Sequence, residues 1–167
     1  MSHLKLHLKK ENFKFSAAHF LIFDPQNAER LHGHNYHVTV EMSFKFNQEA
    51  MAQGFIVDFA NLKSYIKSQI DLWDERVLLP DLHPEMKFSE NCLDGYESLE
   101  VIFRDRRYVF PKTEVIRLPV VNTSVELLAK LLSENFSTEF QIYGIENLGV
   151  MVEETPGQGA WFYTSGP

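Results

Sequence analysis

Cys92 is the only cysteine, so the chain can form no internal disulfide and build no Cys-rich metal centre. Any metal must rest on His, Asp or Glu. No apolar run approaches the roughly 20 residues that a helix needs to cross a bilayer. The opening MSHLKLHLKK alternates charged and apolar residues where a secretory signal needs an unbroken apolar stretch, so a cytoplasmic location is expected. Positive charge is short as well. A formal net charge of −7 opposes sequence-independent binding to nucleic acid, which depends on clustered Lys and Arg, and favours a small ligand. Repeats, low-complexity tracts and linkers are all missing. The expectation is one domain spanning 1–167, long enough to bury a core without staples.

Alternation is the first thing present. LKLHLKKENFKFSAAHF and, after a polar loop at Asp24 to Arg30, HGHNYHVTVEMSF read as two long strands of an antiparallel hairpin. Gln48 to Gly54 reads as a surface turn and FIVDF as a short apolar strand. Asn61 to Ile70 carries the spacing of a helix with one apolar face, through Leu62, Tyr65, Ile66, Gln69 and Ile70. Leu78 to Pro119 is the most irregular stretch and reads as an inserted segment at about 80–118, with LEVIF and RYVF forming a small hairpin around Arg104 to Arg106. A second helix starts near Asn122, where Thr123-Ser-Val-Glu126 fits a capping box ahead of LLAKLL. LGVMVEE and AWFYT close the chain as two strands about the turn-prone TPGQG. This order predicts an α+β fold with two helices on one face of an antiparallel sheet.

His32-Gly-His34 is the sharpest local signal. Residues two apart on a strand share a face, so two imidazoles can converge on one ion. His19, at the end of the preceding strand, comes close to both if the strands form a hairpin. Three His ligands with an open fourth position describe a catalytic zinc centre, although an isolated His-x-His also suits a surface turn. His37 points to the face opposite His34, and His3, His7 and His83 fall at edges or in loops. Those four read as incidental, and Cys92, beside the turn Leu93-Asp-Gly95, as a bystander.

FSAAH, LHGHNY, VDFANLK, NTSVELLAKLL and VMVEET, in that order, resemble the landmarks of the 6-pyruvoyltetrahydropterin synthase and 6-carboxytetrahydropterin synthase family. The resemblance implies the tunnelling fold (T-fold): a four-stranded antiparallel sheet with two helices on one face, closed into a barrel by oligomerisation into a homohexamer, a dimer of trimers. It implies that Zn2+ binds the side chain of 7,8-dihydroneopterin triphosphate. It also implies that Glu154 anchors the pterin ring and that Thr123 and Ser124 supply hydroxyl and backbone contacts to it.

Two departures bear on the reaction. Where the family has a cysteine base a few residues before HGH, this chain has Asn27-Ala-Glu29-Arg-Leu-His32. The pattern Glu-x-x-His-Gly-His resembles the branch of the family that cleaves the same substrate to 6-hydroxymethyl-7,8-dihydropterin, which makes Glu29 the candidate base. The family's Asp-His pair appears as Asp74-Glu75, so the proton relay does not carry over unchanged. Glu75 is either an alternative acid/base or a structural partner of Arg76 or Arg104. The expected function is a zinc-dependent lyase acting on 7,8-dihydroneopterin triphosphate. Orthodox 6-pyruvoyl- or 6-carboxytetrahydropterin synthase activity is one alternative, and a non-catalytic zinc- and pterin-binding protein another.

Overall fold

The computed structural model describes residues 3–45 and 51–165, and the chain gathers into two compact units. The first consists of Met1–Phe15, Asn35–Leu72 and Val125–Pro167, and the second of Ser16–His34 and Trp73–Ser124. Two long strands, β1 (His3–His19) and β2 (His32–Lys45), run through both.

In the first unit the strand order is β1-β2-β8-β9, with β8 at Ile145–Thr155 and β9 at Gln158–Ser165. β2 pairs antiparallel with β8 from His37 opposite Glu153 to Met42 opposite Leu148, and β8 pairs antiparallel with β9. On β2 the residues Tyr36, Val38, Val40, Met42 and Phe44 are buried, the period of two expected of a strand with one covered face. On β1 the buried set passes from even to odd positions between Leu8 and Phe13, across the polar KKEN. The cover comes from α1 (Phe59–Asp71) and α2 (Val125–Phe140). α2 buries Leu128, Leu132, Phe136 and Phe140 and packs on β8 and β9, while Tyr65 of α1 meets Phe140 edge-on at 5.4 Å. Burying each such side chain stabilises the unit by about 1.5–3 kcal/mol.

The strand expected at FIVDF does not form. Asp58 Oδ1 accepts the Ala60 N–H at 2.8 Å, so Asp58 caps α1 and Phe59 already belongs to the helix. The apolar run misleads because Phe55 and Phe59 are exposed and only Val57 is fully buried. Of the turn expected at Gln48 to Gly54, residues 48–50 lie outside the described residues. Gly54 N–H closes the remainder onto the Met51 carbonyl at 2.8 Å.

Regular strands replace the irregular stretch expected in the second unit. β3 (Arg76–Pro80) runs parallel to the end of β1, with Ala17 opposite Arg76, and β7 (Val115–Leu118) runs parallel to β3. A separate antiparallel sheet contains β4 (Met86–Leu93), β5 (Tyr96–Phe103) and β6 (Arg106–Pro111) in that order. The hairpin expected of LEVIF and RYVF is therefore the β5–β6 half of a larger element. Asp94 and Gly95, both with positive φ, make the two-residue turn between β4 and β5, the geometry that Asp-Gly favours. The inner face of this sheet packs Leu99, Val101 and Phe103 against Phe20, Ile22 and Leu79. That core lies directly after His19 in the chain, and through it the second sheet supports the loop between β1 and β2.

Candidate metal centre

The site is built where β1 ends and β2 begins. Gly33 lies against Ala17, since an added Cβ would come 3.4 Å from the Ala17 carbonyl oxygen, and His19, His32 and His34 thereby converge. Their ligating nitrogens all lie within 4.8 Å of one another. His19 is fully buried and the other two are half-buried. Among the described residues this is the group of His, Cys, Asp and Glu side chains arranged to hold a metal ion. His37 falls on the opposite face of β2, as the strand period requires.

Backbone carbonyls set the tautomers. A carbonyl can only accept, so His19 Nδ1 must carry the proton that it donates to the Thr123 carbonyl at 3.0 Å. His32 Nδ1 donates to the Arg30 carbonyl at 2.8 Å for the same reason. Neutral rings so protonated turn unprotonated Nε2 atoms inward, the arrangement found in metal-ligating histidines. His32 Nε2 stands 2.8 Å from His34 Nε2. A lone pair at that separation from a second ring nitrogen is favourable only with a proton or a cation to share. The residues present therefore fit a metal ion. Burial is the main cause holding the His19 imidazole below its ordinary pKa of 6.5, the Thr123 bond opposing it and His32 and His34 reinforcing it. A neutral His19 is what ligation needs.

Glu29 stands at the edge of this cluster. Its Oε2 lies 3.9 Å from His32 Nε2 and accepts the Leu21 N–H at 2.9 Å. The Glu29 N–H returns a bond of 2.8 Å to the Leu21 carbonyl, and Ile22 bridges Ala28. Inside this small antiparallel loop Asp24 Oδ1 accepts from the Gln26 and Asn27 amides at 2.7 and 2.9 Å. The loop bearing the carboxylate is thus folded on itself, with Glu29 at its base.

Asp74 and Glu75 both act on Ser16. Asp74 Oδ1 accepts the Ser16 N–H at 2.7 Å, and the Glu75 N–H donates to the Ser16 carbonyl at 2.7 Å. The pair clamps β1 three residues before His19. Glu75 adopts φ 56, a left-handed conformation uncommon outside glycine, and its side chain is exposed. The pairing of Glu75 with Arg104, one of the two structural alternatives, is not what the structure shows: Arg104 binds Glu85 at 2.6 Å. Thr123 is fully buried, its hydroxyl donating to the Phe20 carbonyl at 3.2 Å and its N–H to Asn122 Oδ1 at 3.0 Å. Ser124 is half-buried beside it. In the other unit, Glu154 Oε1 accepts from Gln158 Nε2 at 2.6 Å.

Several groups that shape the site escape a reading of the residues alone. The Arg30 and Thr123 carbonyls orient two ligands, yet a main-chain acceptor has no sequence signature. Arg104 and Arg106 hold the Glu29 loop through its carbonyls. The only signal for them is the arginine-rich turn of RDRR.

A three-histidine cluster with a carboxylate beside it, on an α+β scaffold, is the apparatus of metal-assisted acid–base chemistry. The model of the 6-pyruvoyl tetrahydropterin synthase family matches residues 7–165, and the chain belongs to that family. It is accordingly a lyase. A candidate 6-carboxy-5,6,7,8-tetrahydropterin synthase of Methanocaldococcus jannaschii is 26% identical over 162 residues, covering 95% of this chain and 94% of the relative. A similarly assigned Pyrococcus abyssi protein is 29% identical, with 84% and 75% covered. Among solved structures, the Plasmodium falciparum 6-pyruvoyl tetrahydropterin synthase superposes with a TM-score of 0.84 at 24% identity, covering 99% of both chains. A Plasmodium vivax synthase, solved with a glutamate described as catalytic changed to alanine, gives 0.81 at 23% and covers 99% of both chains. These likenesses establish the tunnelling fold.

Proposed function

We propose that the protein is a zinc enzyme that cleaves the side chain of 7,8-dihydroneopterin triphosphate, with Glu29 as the base and 6-hydroxymethyl-7,8-dihydropterin as the product. The observation that carries this reading is the Glu29 carboxylate, 3.9 Å from His32 Nε2, in a chain with no cysteine before HGH. A glutamate is also the residue described as catalytic in the Plasmodium vivax synthase. His19, His32 and His34 would hold the ion, which when bound supplies Lewis acidity that makes a substrate hydroxyl easier to deprotonate.

Glu29 takes the proton from the hydroxyl on the second side-chain carbon. The bond between the first and second carbons then breaks, and the second carbon leaves as the aldehyde of the triphosphate-bearing fragment. The electron pair stays on the first carbon, conjugated with the ring, and a proton returned there from Glu29 completes the hydroxymethyl group. A carboxylate suits this step because the proton it removes comes from oxygen. Glu154 would accept hydrogen bonds from the pterin ring and Ser124 would contribute a further contact, while Thr123, fully buried, would serve through the carbonyl that orients His19. Asp74 and Glu75 would serve by clamping Ser16, and Glu75 is the one other carboxylate with a claim to the base.

The names of the archaeal relatives favour a second reading, 6-carboxytetrahydropterin synthase activity. Product identification separates the two. The zinc-loaded protein should convert 7,8-dihydroneopterin triphosphate mainly to 6-hydroxymethyl-7,8-dihydropterin, and exclusive formation of a carboxy or pyruvoyl pterin would refute the reaction. Glu29→Gln should lower kcat by about 100-fold or more with zinc retained. Glu75→Gln should stay within a few-fold of the parent, and the reverse pattern would show that Glu75 is the base.

A further inference from the structure

The β5–β6 turn presents two arginines to the loop that bears Glu29. Arg106 donates through Nη1 to the carbonyl of Glu29 itself and through Nη2 to the Ala28 carbonyl at 3.1 Å. Arg104 donates through Nη2 to the Asp24 carbonyl at 2.9 Å while Glu85 neutralises it. Both guanidinium groups lie by the Phe103 ring, 4.5 Å from its centroid for Arg104 and 5.9 Å for Arg106. Phe103 is fully buried and packs against Phe20, 5.5 Å away and next to His19 in the chain. The turn is therefore anchored on the same core as the metal-binding strand, and the arginines reach from that anchor to the loop.

Two successive carbonyls taken by one guanidinium are a geometric demand. A rigid planar fork meets both at once, whereas an ammonium is a point donor. With Arg106 fixing the main chain at Ala28 and Glu29 and the Leu21 N–H fixing the carboxylate, the Glu29 side chain is tethered at both ends.

We propose that Arg106 is a positioning residue for Glu29: from the β5–β6 hairpin it holds the main chain of the base and so sets where the carboxylate stands relative to the histidine cluster. This rests on Glu29 being the base. It also gives the segment at about 80–118 a part in the chemistry, because that segment supplies the arm that steadies the loop. Misplacing a reacting group by about 1 Å can cost on the order of 100-fold in rate, so a loop with one carbonyl pair released would lose activity without losing its metal.

The test uses the full chain loaded with zinc, and 7,8-dihydroneopterin triphosphate. Arg106→Met should lower kcat by about 10- to 100-fold with KM within a few-fold and zinc content unchanged. Arg106→Lys, which restores the charge but gathers its donors on one nitrogen, should recover part of the loss. Arg107→Met, which removes a surface pair with Glu100 from the same hairpin, should change neither. Added to Glu29→Gln, Arg106→Met should cost almost nothing more, because the two act as one unit. In the metal-free protein, Arg106→Met should speed amide exchange at Leu21, whose N–H is bonded to the Glu29 carboxylate. Wild-type kcat in Arg106→Met, losses that multiply in the double variant, zinc lost with the activity, or unchanged exchange at Leu21 would each overturn the inference. Wild-type turnover in Glu29→Gln removes the base, and this inference with it, an outcome visible in that single variant.

Discussion

His19 is fully buried, bonded through Nδ1 to the Thr123 carbonyl, and held neutral chiefly by burial. Its folded pKa lies below the ordinary 6.5, so between the two values the unfolded chain binds a proton that the folded chain does not. Stability contributed by His19 is complete above about pH 6.5 and is lost as pH falls below it. His83 is shifted in the same direction, again mainly by burial. The carboxylates Asp24, Glu41, Glu85 and Glu90 are depressed below ordinary values of 3.8 to 4.5 and lose their contribution only in more acid solution. Net charge works the other way, since the chain nears its isoelectric point of about 5.5 and repels itself less. The comparison that isolates His19 is therefore between variants. In the metal-free protein, Gln at position 19 cannot take up the proton. The urea midpoint of the parent should fall more than that of His19→Gln between pH 7.5 and 5.5, and equal changes in the two would refute the assignment.

Among the elements, the β8–β9 hairpin shows how closely two strands can approach when glycine is placed for it. A Cβ added at Gly159 would come 2.5 Å from the Val152 carbonyl oxygen and 2.9 Å from the Glu153 Cα. Main chain cannot swing aside as a side chain can, so Gly159→Ala must spread the hairpin where Glu153 faces Gly159. The expected cost is about 1–3 kcal/mol, measured as a lower urea midpoint at constant slope, and an unchanged midpoint would count against the packing described. Long alternating strands and amphipathic helices such as these were legible in the residues. So were the three histidines: strand parity puts His32 and His34 on one face, and the hairpin expected of the first two strands brings His19 beside them. The short parallel strands RVLLP and VIRL were not, since four or five residues give too little alternation to distinguish strand from loop. FIVDF has the composition of a strand and yet is none, because the helix cap at Asp58 outweighs a brief apolar run. The hold on Glu29 was invisible for another reason: its contacts run to main-chain atoms from residues some 77 positions away in sequence.

For the whole molecule the question is what becomes of the sheet edges. Most of the described edges are protected in the usual ways. β4 carries Lys87 and Glu90, β6 begins with Arg106 and Arg107 and ends at Pro111, β7 is four residues long and contains Arg117, and the outer part of β1 is studded with lysines. β9 is the exception. Its eight residues, QGAWFYTS, hold no charge and no proline, they pair among the described residues only with β8, and they expose Trp161 and Tyr163, whose rings stack at 5.6 Å. An uncharged edge with exposed aromatics is a template for another strand, and a second copy of this chain offers the same edge in return. Light scattering at micromolar concentration should give a mass several times the 19.4 kDa of the chain. Trp161→Lys, which places a charge on that edge, should shift the population toward the single chain while the far-UV spectrum stays that of a folded α+β protein. A parent that scatters as 19.4 kDa would show that the edge is left open in solution. A Trp161→Lys variant with the parent's mass would show that the subunits meet elsewhere.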